Sequence, residues 1–321
     1  MRQILTQLYS DEYEHPFDRA SLDRLQRTRG LDLLTEKLLE WGLEKYLRMK
    51  YTGNNLRITH RNLPVVHDLL REGCRILEMD DVPELYLQLE DKITSFSSGE
   101  RRRLIVISSG ALELLSEEEL LFLIGRELGH IRSDHVLYRM MADSLAVIAQ
   151  LISDVTLGLG NMLSMPLQAA LMHWYRLSEF TADRAGLLVC QNPQVVGQAL
   201  IKMAGLPARF EGSVSVADLR TQALEFDDLN LNNFDKLLRF AASYEEAQPF
   251  IVIRASQLFQ WVEDGDYARI LERPETVDIP AEQRCPRCQE PFKPGDDYCA
   301  FCGQALQAGD VRGPASGNAS R

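Results

Sequence analysis

Three groups of residues have the types and spacing to do chemistry. The first is Arg126-Glu127-Leu128-Gly129-His130. It is one residue short of H-E-x-x-H, in which two histidines on one helix face bind zinc and the glutamate between them polarises a metal-bound water. Arginine carries five donors and no lone pair to give a metal, so the first ligand position is lost. The second group is Glu179-Phe-Thr-Ala-Asp183, two carboxylates one helical turn apart. The third is Cys285-Pro-Arg-Cys288, followed after ten residues by Cys299-Ala-Phe-Cys302. Each CxxC aims two thiolates at one tetrahedral centre, and two such knuckles fill all four positions of a structural zinc site. A redox CxxC is the alternative, although two matched pairs fit it poorly.

The elements that must position these residues follow from local pattern. Ser116 with Glu119 forms a capping box, which starts a helix running through Leu120–His135 and places Arg126, Glu127 and His130 two to four turns in, where a helix is rigid. The apolar stretch 144–174 is interrupted by Asp154, Asn161, Pro166 and Gln168. It falls short of the ~20 uninterrupted apolar residues that a bilayer demands, so a helical hairpin turning at 158–161 is expected, with membrane contact the less favoured reading. Its second helix continues to Cys190, stops before Asn192-Pro193 and carries Glu179 and Asp183. Ahead of the central helix lie three β patterns, at 84–89, 92–96 and 104–108, with a turn near Ser97–Glu100. They predict a small antiparallel sheet, and an edge strand of such a sheet can accept an extended peptide.

The flanks supply packing. Residues 1–18 are mixed in character and are expected to wrap the surface. Leu31–Lys50 has leucines at helical spacing and predicts one long helix. Leu56–Thr59 suits a short strand, and Asn62 is placed to cap a helix with Pro64 in its first turn. His60, His67 and Cys74 lack ligand spacing and read as structural. The division expected is a main domain over 1–273, a polar linker over 274–284, a zinc ribbon over 285–306 and a disordered tail over 307–321. A ribbon of about twenty residues has almost no core, so the metal would supply most of its folding energy.

A net charge of −12, from 35 basic and 47 acidic residues, argues against a nucleic-acid partner. No basic-then-apolar leader is recognisable, and paired thiols in this pattern suit a reducing compartment. Cytoplasmic residence, peripheral to a membrane at most, is the expectation.

The segment GRELGHIRSDHVLYRMM, followed about fifty residues later by SEFTADRAG, resembles the HtpX-like and CAAX prenyl protease-like zinc endopeptidases of metallopeptidase family 48. The resemblance covers roughly residues 60–272. It implies an α+β, mostly helical gluzincin-like domain, here joined to the C-terminal ribbon. Residue by residue, it makes Glu127 the general base, His130 the second zinc histidine, Glu179 the glutamate ligand and Asp183 the carboxylate that orients a ligating histidine. Thr94-Ser95 stands where the family's substrate-side edge strand typically has Asn-Ala.

Arg126 leaves the first histidine unmatched, and two readings follow. One is a pseudopeptidase that binds protein or peptide clients without cutting them. The other is an active zinc endopeptidase with an altered metal site, for which Asp134, His135 and His173 are poor substitute ligands; His135 is about 100° off the ligand face. If the ion is gone, the guanidinium of Arg126 is expected to turn inward and pair with Asp183, Glu179 or both.

Overall fold

The computed structural model describes residues 2–28, 30–40, 42–145, 165–227, 249–273, 285–287, 298 and 304–306. Chain contacts divide it into two units, Met1–Glu272 and Arg273–Arg321. In the first, α1 (Pro16–Gln26), α2 (Leu31–Glu40) and α3 (Leu43–Asn54) precede β1 (Leu56–Ile58) and α4 (Pro64–Ile76). Then come β2 (Glu84–Gln88), β3 (Ser95–Ser98), β4 (Leu104–Ser108) and α5 (Ser109–Leu114). The helices α6 (Glu117–Arg132), α7 (Val136–Asp143), α8 (Met165–Cys190), α9 (Pro193–Met203) and α10 (Val216–Asp227) follow. The unit ends with α11 (Ile251–Glu263) and α12 (Asp266–Leu271).

The sheet has strand order β1-β2-β4-β3 and is mixed rather than antiparallel. β3 and β4 form the expected antiparallel hairpin, but β2 runs parallel to β4 in the register Glu84↔Leu104 to Gln88↔Ser108. β2 and β4 form where their patterns place them, whereas β3 spans Ser95–Ser98 rather than 92–96, so that Ser97 and Ser98 pair in the strand instead of turning; the pairing of β2 past β3 onto β4 is not a local property. It leaves β3 as an edge strand beside α6.

The core is built around α6 and α8. On α6, thirteen consecutive residues from Glu119 to Ile131 are buried, far more than one face of a helix. Two glycines let the backbones meet. A Cβ on Gly129 would lie 2.3 Å from the Cβ of Ala185, and one on Gly125 would lie 2.8 Å from the Cβ of Val189. This close approach brings Glu127 and His130 within reach of Glu179. The capping box at the start of α6 is formed as its sequence predicts: Ser116 Oγ accepts from Glu119 N, and Glu119 Oε2 accepts from Ser116 N at 2.7 Å.

Three local expectations are corrected. The single helix over 31–50 is two, because Gly42 adopts a left-handed φ of 78° that breaks the run. The cap of α4 is Leu63, while Asn62 instead ties the preceding turn by accepting from Thr59 N. The N-terminal segment is not a surface wrap: Leu5, Leu8, Tyr13 and Asp18 are buried.

Within the apolar stretch, residues 146–164, including the turn at 158–161, lie outside those described; α8 begins at Met165. Among the described residues no helix is long and apolar enough to cross a membrane. In the second unit, Cys285 is buried and Tyr298 makes an antiparallel bridge with Ala305. Cys288, Cys299, Cys302, the linker 274–284 and the tail 307–321 lie outside the described residues.

Candidate active site

Glu127 and His130 on α6 face Glu179 and Asp183 on α8, and all four side chains are buried. Arg126, only 2% exposed, projects into the same space. Its Nε donates to Asp183 Oδ1 at 2.8 Å, and its Nη2 donates to Glu179 Oε2. One planar guanidinium thereby serves two carboxylates on successive turns of α8, which suits arginine's forked geometry.

Two further arginines complete the cluster. Arg139 on α7 donates from Nη1 to Glu179 Oε1 at 2.6 Å and stacks over the Tyr175 ring at 4.3 Å. Arg254 on α11 grips Asp183 with Nε to Oδ2 at 2.8 Å and Nη2 to Oδ1 at 2.6 Å. Sequence reasoning missed both. The signal was a lone arginine inside an apolar run, VLYRMM and FIVIRAS. A charge so placed is almost never buried unless paired, so burial of the run would have demanded a partner.

Glu127 has a different environment. Its Oε1 accepts from the Ser95 hydroxyl on β3 at 2.7 Å, while Oε2 makes no hydrogen bond among the described residues. Burial pushes its carboxyl above the ordinary value, although Arg139 and Arg126 pull the other way. For Glu179 burial also opposes ionisation, but Arg139 and then Arg126 outweigh it and hold the carboxyl well below the usual range. The two glutamates are therefore set apart, one biased toward the neutral acid and one firmly ionised.

His130 presents Nε2 to Glu179 Oε1 at 3.5 Å, without a hydrogen bond, and its Nδ1 lies 3.1 Å from His135 Nδ1. His135 thus belongs to the site, although helical angle alone places it off the ligand face. Asp134, with a φ of 53°, interrupts the helix between the two histidines and swings His135 inward. Beside β3 opens a cleft of about 420 Å³, lined by Tyr51, Gln88, Ser95, Phe96, Asp143 and Tyr175 among others. Ser95 joins this cleft to Glu127.

Catalytic zinc takes three protein ligands and keeps a fourth position open. Here the nitrogen of His130 and the carboxylate of Glu179 are the donors left, and both Glu179 oxygens already accept from arginine. Among the described residues no three His, Cys, Asp or Glu side chains are arranged to hold a metal ion. A dication would also sit against three guanidiniums, so these residues do not fit a catalytic zinc.

A paired α6–α8 core carrying Glu127, His130 and Glu179, with an edge strand and cleft beside it, defines a metallopeptidase scaffold. Residues 64–262 match the profile of peptidase family M48, and the chain belongs to that family of zinc-dependent metallopeptidases. It is 29% identical over 273 residues to the plastoglobule-localized metallopeptidase 48, chloroplastic, of Arabidopsis thaliana, covering 84% of this chain and 78% of that one. Protease HtpX homologs of Methylibium petroleiphilum and Salinibacter ruber are each 25% identical, over 51% and 46% of this chain. Those matches span 64% and 58% of the two HtpX homologs, less than two thirds of their length. No solved structure matches the chain.

The buried titratable groups give the unit a defined acid response. Burial, then Arg139, lowers His130 well below the ordinary imidazole value and His135 to about 4. Burial, then Arg184, lowers His15 to about 4. Burial raises Asp18 to about 6, against hydrogen bonds from Thr181 and Trp174. On unfolding between about pH 5 and 6.5 these three imidazoles and His173, also lowered by burial, take up protons, whereas Asp18, Glu127 and Asp143, all raised by burial, release theirs. Four taken up against three released is a net uptake of one. Stability is therefore expected to rise with pH across this window, by roughly 1.4 kcal/mol per pH unit at most. Urea midpoints measured at half-unit intervals check it; a flat or falling series would contradict the assignment.

Proposed function

We propose that this chain is a pseudopeptidase of family M48, which engages extended polypeptide segments at β3 and its cleft and does not hydrolyse them. The observation that carries the reading is the guanidinium of Arg126 lying between Glu179 and Asp183, where it stands in for the charge of a metal ion. Glu127 keeps the position of a general base and accepts a hydrogen bond from the Ser95 hydroxyl on β3. Cys285, Cys288, Cys299 and Cys302 would hold one structural zinc in a C-terminal ribbon, which offers a second surface for protein contact. The chain is taken to act in the cytoplasm without a nucleic-acid partner, any contact with a lipid surface falling to 144–174.

Zinc analysis of the purified full-length chain, paired with a peptidase assay on fluorescein-labelled casein, tests the reading. One zinc per chain is expected, lost when the four cysteines are replaced, with no chelator-sensitive cleavage. Two zincs per chain, with cleavage abolished by Glu127→Gln, would instead support the active endopeptidase.

A further inference from the structure

At the edge of the sheet opposite β3, β1 and the loop that follows it border another cavity, of about 610 Å³. Asn62 shapes that loop. Its Oδ1 accepts from Thr59 N at 2.8 Å and from Leu63 N at 2.9 Å, and its Nδ2 donates to Arg57 O at 2.7 Å. The turn so held brings His60 to His67 in the first turn of α4, with the rings edge-on and their centroids 6.1 Å apart. Two histidines without ligand spacing in the sequence thus meet through the turn. Arg57, His60, Arg61 and His67 all line the cavity, together with Val82 and Glu84.

Four basic side chains in one cavity stand out on a chain whose net charge is −12. Glu84 is the one acid in the lining among the described residues, and its charge is already met. Its Oε2 accepts from Arg48 Nη2 and from the Tyr86 hydroxyl, both at 2.9 Å. Arg57, with its side chain 58% exposed, adds only a looser pairing to Oε1 at 3.4 Å, so it can turn to a ligand and leave Glu84 compensated. Arg61 is exposed, and its guanidinium has no ion-pair partner among the described residues. His67 Nδ1 makes no hydrogen bond there either, and Asp68, 3.9 Å away, has a side chain 72% exposed.

We propose that this cavity binds a small phosphomonoester, whose phosphoryl group is held by Arg57 and Arg61 with N–H donors from His60 and His67. A guanidinium fork serves two phosphoryl oxygens at once, and an imidazole donates an N–H in either charge state. The volume falls within the usual span of small-molecule sites, about 300–1,000 Å³, so an organic body fits beside the phosphoryl group. Val82, 43% exposed, gives that body an apolar wall. An extended peptide fits less well, because β1 has three residues and Asn62 already occupies the carbonyl of Arg57. Free metabolites and the headgroup of phosphatidic acid both carry a phosphomonoester.

Calorimetric titration of the full-length protein with phenyl phosphate at pH 7 tests the site, with benzoate as the matching carboxylate. Phenyl phosphate is expected to bind, and benzoate to bind at least about tenfold more weakly. Arg61→Gln and Arg57→Gln should each weaken phenyl phosphate roughly 10- to 100-fold, the loss expected for a hydrogen-bonded charge. Arg101→Gln removes the same charge from an exposed position near the start of β4 and should leave binding unchanged. Absence of phenyl phosphate binding, or an equal loss in Arg101→Gln and Arg61→Gln, would overturn the proposal. Sedimentation with phosphatidic acid vesicles, against phosphatidylcholine vesicles, then separates the two carriers. Capture abolished by Arg61→Gln supports the site with a lipid headgroup as its ligand. No capture of protein that binds phenyl phosphate supports it with a free metabolite.

Discussion

Arg126→Ala is expected to destabilise the first unit by about 3 kcal/mol, the low end of the range for breaking a buried ion pair from one side. The reason for the low end is specific. Glu179 keeps Arg139, and Asp183 keeps both bonds from Arg254, so neither carboxylate is stranded. What is lost is one of three positive charges, two hydrogen bonds and the volume of a long side chain in a closed core. For a unit of this size the thermal midpoint should fall by roughly 6–12 °C. Adding Glu179→Gln to Arg126→Ala should deepen the loss, because buried Arg139 then loses the carboxylate it is paired with. A single-variant loss below about 1 kcal/mol would mean that the arginine is not holding the carboxylates together.

The largest gain is expected from Arg126→His in the presence of zinc. Without the metal this variant should be about as unstable as Arg126→Ala. Removal of the guanidinium frees Glu179 Oε2, and the new imidazole joins His130 and Glu179 to make the three ligands that zinc needs. Free zinc at a thousand times its dissociation constant would then stabilise the variant by about 4 kcal/mol. Thermal midpoints with and without zinc, on protein whose cysteines are already saturated, measure this against wild type run in parallel. Equal zinc responses in the two proteins would show that position 126 does not control the metal. Any peptidase activity gained should disappear with Glu127→Gln.

The parts of this site that the sequence disclosed were those with a local cause. Ser116 and Glu119 announce the start of α6 because a capping box is complete within four residues. The carboxylates of Glu179 and Asp183 share a helix face through their spacing alone. Arg139 and Arg254 stayed hidden because an arginine on a helix reads as solvent-facing until its carboxylate is known, and each carboxylate lies on another element. Asp18 was obscured in the same way: in the first turn of a helix it looks like a charge matched to the helix dipole. In the structure it instead receives Trp174 and Thr181, more than 150 residues away. The sheet divides along the same line, since strand patterns are local but the parallel union of β2 with β4 is not.

Arg254 grips Asp183 across 71 residues of chain, and this separation sets a clock on biosynthesis. At a synthesis rate of about 5–20 residues per second, α8 is made roughly 4–14 s before the arginine that completes its charge partnership. Throughout that interval Arg126 is the partner of Asp183 already made, and tight closure of α6 on α8 would bury a carboxylate short of its final cations. The growing chain should therefore hold this helix pair loosely until α11 has left the ribosome. Chains arrested short of residue 254 should be cut between α6 and α8 by a protease that spares chains extended beyond α12. Protection that appears as soon as α8 emerges would mean that Arg126 suffices and that Arg254 only tightens a core already made.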